Sequence, residues 1–268
     1  MNNVKICLRR MIEMIIDTFN GVYFALLALT AVITVVLSLA LRNKSETVKK
    51  WTIIGICIFD ILFFCVYKYG LSVDKEYLEL TGQQTMNWFS ELPLHLCNIN
   101  MFLIPISLLT KKRSLLGFCF TVAPLGALLA LTFPSVGFGG YDIFLFRNIG
   151  FYGTHILIII SAICIATLGF FRPTFKDIPG VMLFLLVLSA AIFGVNNILI
   201  ATGLCEQANY FYTMGPDGIS ILEMFWSIIP VKFVYLAVFG VVILGIYLLV
   251  MALFFNLGKK QEKAEITE

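Results

Sequence analysis

Seven apolar stretches, each close to the length that a helix needs to cross a bilayer, constrain this chain more than any other feature. A crossing helix takes about 20 residues. The runs are residues 21–41, 51–71, 91–109, 115–133, 149–171, 180–203 and 230–255, separated by short polar or basic connections. Only 13% of the 268 residues are charged, and the mean hydropathy is +0.94. A soluble domain carries about 25% charged residues. The expected fold is therefore all-α: a polytopic membrane protein of about seven transmembrane helices in one bundle. Residues 1–20 combine Lys5, Arg9, Arg10 and Glu13 with scattered apolar residues. They read as an amphipathic interfacial helix rather than a cleaved leader. The division expected is an amphipathic segment over 1–20, a single transmembrane domain over 21–256 and a charged tail over 257–268.

The connections set an orientation. Those after the first, third and fifth runs hold four, three and two Lys or Arg, and the tail holds three; the others hold one, one and none. The positive-inside rule places the C-terminus in the cytoplasm and the N-terminus outside the cell membrane. A net charge of +3 is too small to argue for nucleic acid as a partner. Seven cysteines, odd in number and without a CxxC pair, give neither a disulfide framework nor a zinc site. No cofactor is implied, and membrane lipid is both the surroundings and a candidate substrate.

Within this frame one segment stands out. Glu91-Leu92-Pro93-Leu94-His95-Leu96-Cys97-Asn98-Ile99-Asn100 puts a carboxylate, an imidazole, a thiol and two amides at the start of the third run. Polar groups at that depth are costly and need a reason. Ser90 reads as an N-cap, Pro93 suits a first turn, and Pro105 and Pro124 read as kinks. The assigned topology puts other rare polar groups at a similar depth: His155 in the fifth run, Asn196 and Asn197 in the sixth, and Lys232 at the head of the seventh. Asp60 lies near mid-depth in the second. Asn209 belongs to the connection before the seventh run. Together they suggest a polar cavity open to the outer side.

On a regular helix Glu91, His95 and Asn98 share one stripe, and Cys97 and Asn100 lie on another. A base for Cys97 then comes from elsewhere, with His155 the natural candidate. Plainer roles stand beside these. Histidine can bond a carbonyl across a helix interface, cysteine can simply pack, asparagine can join helices, and lysine can snorkel to the interface. A metal site of two histidines with Glu91 or Asp60 is possible on residue types, though its ligand count is thin.

At Leu92-Pro93-Leu94-His95-Leu96-Cys97 the chain resembles the YwaF-like integral membrane proteins of bacteria. The Asn196 region, followed by Asn209-Tyr210-Phe211-Tyr212 and Gly215-Pro216, carries the likeness further, as does His155. This family is similar to the eukaryotic transmembrane protein 164 group, described as a cysteine-dependent phospholipid acyltransferase. A more distant likeness is to the androgen-induced fatty-acid-ester hydrolases, which use a threonine and a histidine. The resemblance carries the motif histidine over to His95. The cysteine of the eukaryotic motif directly precedes that histidine, a position held here by Leu94, and Cys97 lies three residues later.

Three functions fit these readings. The first is a membrane-embedded acyltransferase or lipid esterase with His95 or His155 as base and Cys97 as nucleophile. In it Asn98, Asn196 or Asn197 faces the developing oxyanion. The second is a transporter or small-molecule-binding protein built on kinked helices. The third is a non-catalytic membrane protein whose polar groups only hold helices together.

Overall fold

The computed structural model describes residues 14–265. Among them nine α-helices account for most of the chain, and the single sheet is a pair of two-residue strands. In order these are β1 (Ile15–Ile16), α1 (Gly21–Leu41), α2 (Glu46–Val73), α3 (Lys75–Leu80), α4 (Asn100–Thr110), α5 (Arg113–Thr132), β2 (Tyr141–Asp142), α6 (Phe146–Thr167), α7 (Ile178–Ala201), α8 (Ser220–Ile228) and α9 (Val234–Glu265). Short 3-10 turns lie at Trp88–Ser90, Phe175–Asp177 and Tyr210–Tyr212.

Among the described residues six helical segments are long and apolar enough to cross a membrane: 21–41, 46–73, 113–132, 146–167, 175–201 and 234–253. The chain is an all-α, multi-pass membrane protein. The expected third crossing is different in form. Its helix, α4, has only 11 residues, which at 1.5 Å per residue spans about 16 Å, half of a hydrocarbon core of ~30 Å. Pro105 lies inside α4 and Pro124 inside α5, and neither ends its helix.

The connections also hold more structure than their composition suggests. Ile15–Ile16 pairs antiparallel with Tyr141–Asp142, so the connection after α5 contains a short strand. That pairing also makes the end of the N-terminal segment extended, not helical; residues 1–13, the bulk of the expected amphipathic helix, lie outside the described residues. The polar stretch after α2 folds into α3, and the one before α9 into α8. Helix ends follow local capping chemistry. Asn20 caps α1 through the Tyr23 N–H at 2.9 Å, and Asp74 caps α3 through the Tyr77 N–H at 3.1 Å.

The chain forms two compact units, one of residues up to Met86 together with Ala123–Cys164, the other of Asn87–Val122 with the remainder. In the first unit α2 and α6 approach closely, and glycines make that approach. A Cβ at Gly153 would meet the Phe63 ring at 2.8 Å, one at Gly150 would run into Tyr67, and one at Gly70 into Phe146. As residue numbers rise on α2 they fall on α6, so the two helices run antiparallel. Small residues at a helix–helix seam are the usual means of close packing in lipid. Most of α6 is buried, whereas α1 turns Phe24, Leu29, Val32, Val35 and Val36 outward, as a lipid-facing helix does. In the second unit α9 packs on α7 and α8, and α7 packs on the Tyr210–Tyr212 turn.

Candidate functional site

In the second unit the polar segment Glu91–Ile99 is not helical, and Asn100 is the first residue of α4. Asn87, rather than Ser90, caps the short turn ahead of it, accepting from the Phe89 N–H at 2.9 Å; the Ser90 hydroxyl donates to Asn87 O at 2.7 Å. The Tyr210 phenol then takes over the backbone. It donates to Phe89 O at 2.7 Å and accepts from the Leu92 N–H at 2.9 Å. Pro93 has no N–H to offer a helix. Turns follow, with Ile99 N–H to His95 O at 3.0 Å and Asn100 N–H to Cys97 O at 3.1 Å. Asn100, fully buried, donates its side-chain amide to Leu96 O at 2.6 Å, and α4 begins there. The expected helix from Glu91 is thus corrected. The stripe of Glu91, His95 and Asn98 does not exist, and the separation of His95 from Cys97 onto different helical faces falls with it.

His95 is held by aromatic rings. Its ring centroid lies 5.1 Å from Tyr210, edge-on at 64°, and 5.6 Å from Tyr212 at 45°. Cys97 lies within electrostatic reach of the Tyr212 phenol, the ring against which His95 packs. Two consecutive non-glycine residues place that ring, Phe211 at φ 58° and Tyr212 at φ 56°. Left-handed backbone at bulky residues is strained and persists only where surrounding contacts impose it. Those contacts are visible. Asn196, fully buried in α7, donates to Tyr210 O and to Thr213 Oγ1, each at 2.9 Å, and accepts from Tyr210 N–H at 3.0 Å. The Tyr235 hydroxyl donates to Tyr212 O, and the Phe233 N–H to Thr213 O at 2.7 Å.

Burial sets the electrostatics. It pushes the Tyr212 phenol up to about 12, and raises Tyr210 well above the ordinary phenol range against a smaller opposing effect of the Leu92 N–H. Both phenols stay protonated at neutral pH and remain hydrogen-bond donors.

The other residues singled out in the sequence fall as follows. Glu91 and Asn98 are half-buried on the same segment; the Ser90 hydroxyl donates to Glu91 Oε1 at 3.5 Å, and the Asn98 carbonyl oxygen meets no partner. Asn197 is exposed and bonds Phe193 O at 2.7 Å, since successive helical residues point about 100° apart and cannot both face one site. Asn209 braces its own loop, donating to Gly215 O at 3.0 Å and accepting from Met214 N–H at 2.9 Å. Lys232 is exposed.

His155 and Asp60 belong to the first unit, both deeply buried. His155 Nδ1 donates to Phe151 O at 2.7 Å. Asp60 lies beside the Thr154 hydroxyl. Among the described residues no group of three or more His, Cys, Asp and Glu side chains is placed to hold a metal ion.

The residues that composition and spacing undervalued are Tyr210, Tyr212, Thr213 and Tyr235. The signal for the first three was the Asn-Tyr-Phe-Tyr run in a connection free of Lys and Arg. Nothing local marks Tyr235 apart from other apolar-helix tyrosines.

No curated protein and no solved structure matches the chain. A model of one protein family does, over residues 18–260. The matched residues include α1 through most of α9, the Glu91–Asn100 segment and the tyrosine turn that holds it. On that match, the chain belongs to the TMEM164 family.

Proposed function

We propose that this protein is a membrane-embedded enzyme that transfers or hydrolyses an acyl ester of a membrane lipid, with His95 as base and Cys97 as nucleophile. The observation that carries the reading is His95 clamped by two protonated phenols in a non-helical break that also bears Cys97. His95 takes the thiol proton, and the sulfur attacks the ester carbonyl to form a C–S bond. In this reading the Tyr212 phenol and the Asn98 side-chain amide serve as donors to the developing oxyanion. Collapse breaks the C–O bond, and the imidazolium returns the proton to the departing alkoxide. Water, or the hydroxyl of a second lipid, then attacks the thioester through the same base and restores the thiol. Asn196 serves as a positioning residue in this scheme, because its amide is already committed to Tyr210 and Thr213.

The reading includes a setting in the cell membrane with the N-terminus outside and the C-terminus in the cytoplasm. In this reading residues 91–110 make the seventh crossing, as a stretch of bends and turns followed by a half-length helix. That broken crossing also favours a second reading, a solute-binding or transport protein, since interrupted helices at mid-membrane are a common way to present backbone and side chains to a solute.

The test uses the full chain reconstituted in phosphatidylcholine vesicles with labelled acyl chains. Expected are label on Cys97 that hydroxylamine removes, released or transferred acyl product, and loss of both in folded Cys97→Ala and His95→Ala proteins. Unchanged lipid turnover in both variants overturns the proposal, and loss of solute uptake in those same proteins supports the second reading.

A further inference from the structure

Folding of the second unit gathers basic residues that the His95 site does not use. Lys111, Lys112 and Arg113 lie where α4 passes into α5, and Arg172 and Lys176 lie just ahead of α7. Arg113 ties these two connections together. Its Nε and Nη2 donate to the two carboxylate oxygens of Asp177 at 2.7 and 2.6 Å, and Nη2 also donates to Arg172 O at 3.1 Å. The guanidinium lies over the Phe171 ring, 5.1 Å from its centroid. The starts of α5 and α7 meet at the same place, since a Cβ at Gly180 would run into the Ser114 hydroxyl.

The charge at this end is one-sided. Asp177 is the single acidic residue of the two connections. Its side chain, 9% exposed, is taken up by Arg113 and by the N–H and hydroxyl of Thr174. Lys112, Arg172 and Lys176 are exposed and enter no ion pair among the described residues; Lys111 is exposed as well. Two large apolar side chains border these cations in sequence, Leu109 at 56% and Phe175 at 43% exposed. Both connections sit at the ends of membrane-crossing helices. Lysine and arginine there extend toward the headgroups while apolar neighbours stay in the hydrocarbon. The charge bias that orients a chain needs only cations somewhere in a connection. It does not need two connections clamped together with their one carboxylate consumed.

We propose that Lys112, Arg172 and Lys176, gathered by the Arg113–Asp177 clamp, bind the headgroup phosphate of an anionic phospholipid. Charge complementarity selects this occupant. Unpaired cations at headgroup depth, next to exposed apolar side chains, match a ligand that joins a net negative headgroup to acyl chains. In the orientation proposed above this end faces the cytoplasm, the leaflet that carries anionic lipid. The site is independent of the His95 chemistry.

The test uses the full chain in phosphatidylcholine nanodiscs that contain a small fraction of phosphatidylglycerol. A photoreactive headgroup on that lipid maps its position by mass spectrometry, and a spin-labelled form gives its association relative to phosphatidylcholine. Expected in the wild type are crosslinks concentrated at 109–114 and 171–177. The preference for phosphatidylglycerol should be about fivefold or more, since one cation near an anionic headgroup is worth roughly that factor, and it should fall as salt rises. Replacing Lys112, Arg172 and Lys176 together with glutamine brings the preference close to parity. The same replacement of Lys44, Lys49 and Lys50, in the basic connection of the first unit, keeps most of it. Inorganic phosphate displaces no more label than chloride at matched ionic strength. Crosslinks spread evenly over the basic connections overturn the proposal, and they are read on the wild type whether or not a variant folds. Equal losses in the two triple variants, or specific displacement by inorganic phosphate, overturn it too.

Discussion

Asn196 and Tyr210 exchange hydrogen bonds in both directions, side-chain amide to backbone carbonyl at 2.9 Å and backbone N–H to side-chain carbonyl at 3.0 Å. One buried asparagine on α7 thereby does for the Tyr210 backbone what a neighbouring strand would do in a sheet. The pair ties the tyrosine turn to a membrane helix, and through the Tyr210 hydroxyl it reaches the Phe89–Leu92 backbone.

Replacing Asn196 with leucine keeps its bulk and leaves the Tyr210 N–H, Tyr210 carbonyl and Thr213 hydroxyl to find new partners in a buried site. An unsatisfied buried group costs about 1–3 kcal/mol. Asn196→Leu is expected to lose roughly 2–4 kcal/mol, measured as a fall in unfolding midpoint in detergent. A midpoint equal to wild type would show that the exchange is dispensable.

Tyr210→Phe separates the ring from the hydroxyl. The ring stays against His95, while Phe89 O and Leu92 N–H lose their shared partner. The fold should survive with a loss of about 1–2 kcal/mol. Displacing the segment should cut lipid turnover by roughly tenfold or more. Activity and melting of one purified preparation check both, and full activity at a lowered midpoint would confine Tyr210 to a structural role.

The seam between α2 and α6 makes a steric prediction. A side chain at Gly150 runs into the Tyr67 ring, whereas one at Gly55 on α2 meets nothing within 4 Å. Gly150→Leu overpacks the interface and should cost about 1–3 kcal/mol. Gly55→Ala should be neutral or slightly stabilising, because alanine favours the helix. Paired melting curves test this, and equal effects of the two substitutions would refute it.

Alkaline pH should weaken the tyrosine turn. In the unfolded chain Tyr212 ionises near the ordinary phenol value of about 10, and in the folded protein only at about 12. Between these the folded state keeps a proton that the unfolded state has lost, so unfolding free energy falls as pH rises through that window. Below it Tyr212 is protonated in both states and contributes no slope. Tyr212→Phe should flatten the decline, as read from unfolding midpoints across a pH series; an unchanged slope would contradict this origin.

The crossings were legible because a helix in lipid must be apolar over its whole length, and composition alone reports that. The unwound Glu91–Ile99 stretch was not, because what replaces its helical bonds is a phenol more than a hundred residues away. Periodicity can place Glu91, His95 and Asn98 on one face only if a helix is assumed, and no local signal withdrew the assumption. His95 and Cys97 could be named from residue type, but Tyr212 could not. Its position depends on left-handed backbone at Phe211 and Tyr212, a conformation that neither residue prefers. The β1–β2 pair was missed for a related reason: two residues are too few for an alternating pattern.

The first unit is discontinuous in sequence, and that bears on how the protein is made. The helix bearing Asp60 is complete at Val73, and its glycine-lined partner begins only at Phe146. At ribosomal speed the interval is roughly four to fifteen seconds. Throughout it a carboxyl-bearing helix stands in or beside the insertion channel without the surface that later encloses it. Biogenesis must therefore shelter α2 until α6 emerges, which makes the insertion machinery, not only the finished fold, sensitive to the residue at position 60.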